Sequence, residues 1–236
     1  MMRSPLFNWE GRSHSLLTWT KAMDCWSWSI PAGKHGSCPM ENREPNSICN
    51  SCYAQQGNYL WATTARAQWA RFEFLKSDPD RALKLITDFI NDQRLPFFRV
   101  HDSGDFHSLS MIWRWTDAVR RCPDTKFWFP TRAWTFPNWM PALAVLAEEP
   151  NTSVRPSAQK FDEPPPCIDR LQPGTMSSDA ESEWALTCPK STASTSCGTE
   201  KCRTCWTKDR AVNYITHGYR LTDKTRLLHL TIGRTS

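Results

Sequence analysis

Seven cysteines fall into two groups whose spacing suits metal. Cys38, Cys49 and Cys52 read C-x10-C-x2-C inside residues 33–57, a stretch rich in Gly, Pro, Asn and Ser. Cys188, Cys197, Cys202 and Cys205 read C-x8-C-x4-C-x2-C. A CxxC pair lets two thiolates reach one metal from a single turn. Two such pairs, each with further cysteines close by, point to zinc or an iron–sulfur cluster. Four ligands make a closed set, which suits a structural zinc or an auxiliary cluster. Three would leave one iron of a four-iron cluster open to a ligand. Of the other thiols, Cys122 ends an apolar helical face and reads as core. Cys25 is the nearest spare ligand for the first group, and Cys167 in PPPCI has no assignment.

A second constellation, His101, Asp102, Asp105 and His107, follows the apolar run FFRVH. Any of these could act as a general base or position a substrate. Asp102 and Ser103 also suit a tight turn by bonding to nearby backbone. Arg132 could face a phosphate or carboxylate, or a surface partner. No Walker A loop, GxGxxG or nucleophile elbow is present.

The elements that must position these residues alternate. A strand or hairpin is expected over 18–31 and a long loop over 33–57, and long ordered loops are usually functional. Helices are expected over 59–76, 78–91, 108–122 and 137–149, strands over 97–101, 126–130, 152–157 and 183–189. From residue 97 the strand starts recur about every 30 residues, one βα unit per repeat, which implies parallel crossovers. The expected fold is α/β, a partial (β/α) barrel over residues 1–187, with a small Cys-rich basic lobe over 188–236. In such a fold chemistry sits at the carboxyl ends of strands. Residues 160–182 read as an irregular insertion. The last thirty residues read as strands or as a helix covering the barrel.

Composition narrows the class. The chain has 236 residues, 39% hydrophobic and 22% charged, which fits a globular protein. Its 10 cysteines fall short of the ~8–10% of a disulfide scaffold. No apolar run approaches the ~18 residues of a membrane span, and the start lacks a signal-peptide core. A reducing cytoplasm is therefore expected, with no membrane partner. The net charge of +5 lies in residues 199–236, while the rest balances. Lys201, Arg203, Lys208 and Arg210, beside Trp206, Tyr214 and Tyr219, could follow a phosphate backbone or form a solvated surface. The 13 tryptophans serve as core, or as stacking platforms for a nucleobase.

The strings SIPAGKHGSCP, CNSCYAQQGNY, FFRVHDSGDFHSLSMIWRW and KFWFPTRAW resemble the bacteriophage gene product eighty-eight family, over about residues 26–206. That family looks like an outlying branch of radical S-adenosylmethionine enzymes. Some phage proteins of this kind resemble isomerases that rearrange a hypermodified thymine in viral DNA. The resemblance implies that Cys38, Cys49 and Cys52 hold a 4Fe-4S cluster whose open iron binds S-adenosylmethionine. It places the Ser103-Gly104-Asp105 turn against the methionine amine and Ser157 near the ribose, with Tyr53 or a tryptophan on the adenine. It implies an external electron donor, a host-cell cytoplasmic location and a role in restriction evasion. Two features depart from the superfamily pattern: a first cysteine gap of ten, and Ser51 where an aromatic residue usually precedes the last cysteine. Three readings follow. The first is a radical enzyme acting on a DNA base. The second is a non-enzymatic zinc- or cluster-bearing nucleic-acid-binding module. The third is a metal-dependent hydrolase using His101, Asp102, Asp105 and His107.

Overall fold

The computed structural model describes residues 3–192 and 195–216. A hairpin, β1 (Leu6–Trp9) and β2 (Arg12–Ser15), precedes a second antiparallel pair, β3 (Thr18–Thr20) and β4 (Cys25–Ser29). The cysteine loop follows, carrying only short 3-10 turns. Then come α1 (Ala62–Ser77), α2 (Pro79–Asp92), β5 (Phe97–Ser103), α3 (Leu109–Arg120), β6 (Lys126–Thr131), α4 (Met140–Glu148) and β7 (Thr152–Pro156). Short elements close the described chain: β8 (Thr175–Ser178), β9 (Leu186–Thr187), α5 (Pro189–Thr192) and β10 (Val212–Ile215).

The central sheet has the order β3-β4-β5-β6-β7, and all pairs from β4 onward are parallel. The expected βα rhythm is therefore present, in a mixed α/β sheet. A second sheet, β8-β10-β9, is parallel and meets the first through a bridge between Ser157 and Thr175. Thus the stretch expected to be an irregular insertion supplies a strand, and residues 212–215 share a sheet with it. The strand expected over 183–189 shrinks to Leu186–Thr187.

Side chains alternate along each strand, so the sheet has two faces. One face carries Trp26, Trp28, Phe98, Val100, Phe127, Phe129 and Val154, all in the main apolar core. The helices cover it, with Leu83, Ile86, Ile112, Trp115, Val119, Cys122, Leu143 and Leu146 in the same core. Asp78 starts α2 by accepting from the Arg81 N–H, with Pro79 at the first helical position. The other face carries Cys25, Ser27, Arg99, Trp128, Ser153 and Arg155, and residues 203–214 pack against it.

Arg155 holds that packing together. It is 0% exposed. Its guanidinium donates to the carbonyls of Cys205 (3.1 Å), Pro173 (2.8 Å), Arg210 (2.8 Å), Thr204 (2.7 Å) and Thr207 (2.6 Å), and to Ser153 Oγ (3.1 Å). One buried side chain so satisfies carbonyls that would otherwise be stranded in the interior.

β5 contains the irregularity that matters for the site. Trp28 pairs with Val100 but Ser29 pairs with Ser103, so His101 and Asp102 bulge from the ladder. His101 takes φ of 64°, the left-handed region. A bulge re-aims side chains, and this one turns His101 and Asp102 toward the cysteine loop.

Candidate functional site

A cavity of about 540 Å³ opens at the carboxyl ends of β4, β5 and β6. That volume lies in the ~300–1,000 Å³ range of ligand pockets. Cys38, Cys49, Cys52 and Tyr53 line it from the loop, Arg99, His101 and Asp102 to Asp105 from β5 and the turn after it, and Thr131 and Arg132 from the end of β6. Ser157, residues 175–177, Cys188 and Lys190 also line it, and Thr20, Ala22 and Met23 border it on the side of the turn before β4. The cavity thus brings residues of the loop together with residues at the strand ends.

The loop is stitched down at both margins. Gly104 has φ of +82°, and a Cβ there would meet Ser37 Oγ and come within 2.7 Å of Ile30 Cγ1. Only glycine lets the Ser37 turn approach so closely. Ser37 Oγ donates to Pro31 O (2.9 Å) and accepts from Asp105 N–H (3.1 Å). At the other margin Ile48 N–H donates to Gln159 O (2.9 Å), and Ser47 Oγ caps the turn by accepting from Cys49 N–H (3.2 Å).

Asp102 is the hub beneath the loop. Its carboxylate accepts from Arg99 Nη1 (2.7 Å), the Tyr59 hydroxyl (2.9 Å) and Ser29 Oγ (3.3 Å). The Tyr53 hydroxyl donates to the Asp102 carbonyl and accepts from Arg99 Nη2 (3.0 Å). The Arg99 guanidinium lies 4.6 Å from the Trp128 ring centre. Tyr53 is 54% exposed overall, with its hydroxyl held between Arg99 and the Asp102 carbonyl. Asp102 therefore anchors the residue that follows Cys52.

The neighbouring candidates differ. The His101 side chain is 1% exposed, and burial pushes its imidazole down to about 3, so the ring is neutral near pH 7. Its Nδ1 has no hydrogen-bond partner and stands 3.9 Å from Asp105 Oδ1. Ser103 Oγ is also buried without a partner. Both residues line the cavity, so both are free to meet a ligand. Asp105 accepts from Phe106 N–H (2.8 Å), Thr131 Oγ1 (2.6 Å) and Arg132 N–H (2.8 Å), joining the ends of β5 and β6. Burial nonetheless pushes its carboxyl up to about 6. Ser157 Oγ accepts from Thr175 Oγ1 (3.2 Å). Arg132 donates through Nε to Ala158 O (3.1 Å). The charged residues of the lining are Glu41, Asp102 and Asp105 against Arg99, Arg132 and Lys190.

Of the four residues of the hydrolase reading, only His101 and Asp105 approach each other, at 3.9 Å. Asp102 faces Arg99 and Tyr59, Asp105 faces β6, and His107 lies edge-on to Phe72 at 5.1 Å, outside the cavity lining. Sequence reasoning missed Arg99, Tyr59, Trp128 and Arg155. The available signal was an arginine inside each of two apolar strands, since a buried arginine needs partners.

Burial raises the thiols of Cys38 and Cys52 above the ordinary range. In the second group Cys188, Cys197 and Cys205 are buried and Cys202 is half-buried. Cys205 Sγ meets the Tyr214 hydroxyl at 3.1 Å, and Cys202 Sγ meets Thr204 Oγ1 at 3.6 Å. Only Cys188 of this group lines the cavity. Cys25 packs with Cys205, Trp128 and Trp206, not with the first group as expected. β4 delivers it at the end opposite the loop. Cys122 is core, as expected, and Cys167 is exposed. Among the described residues no three His, Cys, Asp or Glu side chains are gathered around a single-ion point.

The basic end is partly committed to packing. Arg203 donates to Met23 O (2.7 Å) and lies over Phe97, and Lys208 donates to Ala147 O (3.1 Å) and Glu149 O (3.0 Å). Arg220, Lys224, Arg226, Arg234 and Tyr219 lie outside the described residues. Trp26, Trp28, Trp115, Trp128 and Trp206 are core, while Trp19, Trp61, Trp69, Trp113 and Trp184 are exposed. Among the described residues no helix is long and apolar enough to cross a membrane.

Comparison with known proteins adds a family. Proteins named "Gene 88 protein" from Mycobacterium phage L5 and Mycobacterium phage D29 are each 28% identical over 119 residues, 46% of this chain and 48% of theirs. The chain thus spans about half the length of these curated relatives. No solved structure matches. The model of the Gene product 88 family matches residues 8–208, most of the described sheet, loop and cavity, and the chain belongs to that family.

Proposed function

We propose that this chain is an iron–sulfur enzyme of the radical S-adenosylmethionine type, an isomerase that rearranges a hypermodified thymine in phage DNA. The observation that carries the reading is the three-cysteine loop, pinned over the carboxyl ends of parallel strands and facing a cavity. The bridge from β7 to β8 continues the strand series, and we read the two sheets as sections of a partial (β/α) barrel. The donor set suits a cluster better than one ion. At Zn–S distances of ~2.3 Å a single ion draws its sulfurs to within ~4 Å of one another, whereas a four-iron cluster holds them farther apart. The second group we read as a structural zinc or an auxiliary cluster.

When bound, a 4Fe-4S cluster and S-adenosylmethionine supply a 5′-deoxyadenosyl radical that removes a substrate hydrogen. The chain's own part is positioning and exclusion of water. Asp102, Arg99 and the two tyrosines fix the loop. Neutral His101 and Ser103 offer hydrogen bonds at the cavity wall. Arg132 and Lys190 offer charge to a carboxylate or phosphate. A base within a duplex must first be flipped out, at a few kcal/mol.

The test is anaerobic. Reconstituted protein should carry about four irons at the first group. With reductant and S-adenosylmethionine it should form methionine and 5′-deoxyadenosine. Phage DNA bearing modified thymine should yield a nucleoside of unchanged mass and shifted retention. Absence of 5′-deoxyadenosine with every DNA offered would reject the reading.

A further inference from the structure

Cys25 opens β4, and Ser29 at the other end of that strand lies about 13 Å away at ~3.3 Å per residue. The cysteine loop begins beyond Ser29, so Cys25 is remote from it along the sheet. What surrounds Cys25 is the far end of the described chain. Cys197 N–H donates to Ala22 O (3.0 Å). Arg203 Nη1 donates to Met23 O (2.7 Å), and its Nη2 stands 3.5 Å from Asp24 Oδ2. A Cβ on Gly198 would collide with the Asp24 carboxylate, so this backbone runs directly over the turn. Cys205 and Trp206 pack on Cys25 from the same side. The segment holding three of the second-group cysteines is therefore folded around the turn that delivers Cys25.

We propose that Cys25 is a metal ligand of the second cysteine group, joining Cys188, Cys197 and Cys205 as the fourth thiolate in place of half-buried Cys202, at a site for zinc or an iron–sulfur cluster. Cys25, Cys188, Cys197 and Cys205 are 3%, 7%, 5% and 6% exposed. Four buried thiols on one side of the sheet, two of them within one aromatic cluster, are soft donors of the kind that such metals select. Cys122 is the contrast. It is as buried as Cys25, but it lies in the helix-side core and its Sγ donates to Thr87 O at 3.8 Å. The assignment rests on metal at the second group and is independent of the radical reaction.

Alkylation of the full, zinc-loaded chain tests it, with each thiol followed by mass spectrometry. Before chelation Cys25, Cys188, Cys197 and Cys205 should be protected and Cys167 labelled. After a strong chelator Cys25 should label in step with Cys197 and Cys205, while Cys122 stays protected. Cys25→Ser should retain zinc more than about tenfold more weakly against the chelator, and Cys122→Ser should retain it as the parent does. Cys25 remaining protected with Cys122 while Cys197 and Cys205 label would overturn this ligand assignment alone. No change at Cys188, Cys197 or Cys205 on chelation would overturn metal binding at the group, and the assignment with it.

Discussion

The two cysteine groups use the same residue and the same CxxC turn in opposite settings. The first lies in a loop without long elements, laid over strand ends and open to a cavity. The second is packed against the sheet face opposite the helices, with Cys205 beside Trp128 and Trp206 and its backbone held by Arg155. The first group can be approached by a ligand, and the second mostly cannot. Losing one should therefore cost chemistry, and losing the other should cost the fold.

The largest expected effect tests that division. Cys197→Ala should lower the unfolding midpoint sharply, because metal at a closed structural site contributes on the order of 10–16 kcal/mol in small zinc domains. Changing Cys38, Cys49 and Cys52 together to Ala should remove metal and leave the midpoint nearly unchanged. Thermal melts paired with metal analysis decide it, and equal midpoints would erase the contrast.

Next come the two arginines. Arg155→Met strands several buried carbonyls at ~1–3 kcal/mol each, partly recovered by water, so a loss of about 3–5 kcal/mol is expected in urea. Arg132→Met, at the cavity wall, should cost under about 1 kcal/mol. If the two variants unfold at the same urea concentration, Arg155 is not the clasp described.

The pH profile isolates His101. Between about pH 3 and the ordinary histidine value of ~6.5, the unfolded chain holds a proton that the folded chain refuses. The histidine's contribution to stability should rise with pH across that window, by at most about 1.4 kcal/mol per pH unit, and be complete above it. Asp105 acts oppositely. Its carboxyl, raised to about 6, stays protonated longer when folded, so its contribution falls as pH rises from ~4 toward 6. Where both titrate, between about pH 4 and 6, the two slopes oppose each other one proton for one, so the histidine shows as a net rise only at the edges of its wider window. Asparagine tolerates the left-handed backbone at this position. His101→Asn should therefore uncover the Asp105 fall and tilt the profile downward between pH 4 and 6 relative to the parent, and parallel profiles would remove His101 from the account.

The smallest effect concerns the anchoring of the loop. Tyr59→Phe removes one hydrogen bond to Asp102 and should cost about 1 kcal/mol. It should also speed alkylation of Cys49 and Cys52 while leaving Cys205 unchanged. Uniform labelling rates would show that the hub does not steady the loop.

Much of this architecture was legible in the chain. Apolar residues at helical spacing marked α2 and α3, and β5 and β6 fell where compact apolar runs stood, whereas α1 buries Gln68, Arg71, Phe72 and Leu75 and leaves Trp69 exposed. Gly, Pro, Asn and Ser marked the loop, and the CxxC pairs marked the two groups. β8 and β10 were not legible as strands. TMSS has no apolar alternation, and it is a strand only because VNYI pairs with it from 37 residues downstream.

The sequence by itself determined where helices, strands and the loop occur, because propensity and periodicity act within one or two turns of chain. It also determined which thiols lie near one another along the chain. Tertiary structure alone decided that Asp102 serves Tyr59, 43 residues away, and that Arg155 serves the carbonyl of Cys205, 50 residues away. It alone set Cys25 beside Cys205. The physical reason is common to all three. A buried charge or thiol takes the partners that sheet order and face bring within ~3 Å, and those partners carry no signal in the residues beside it.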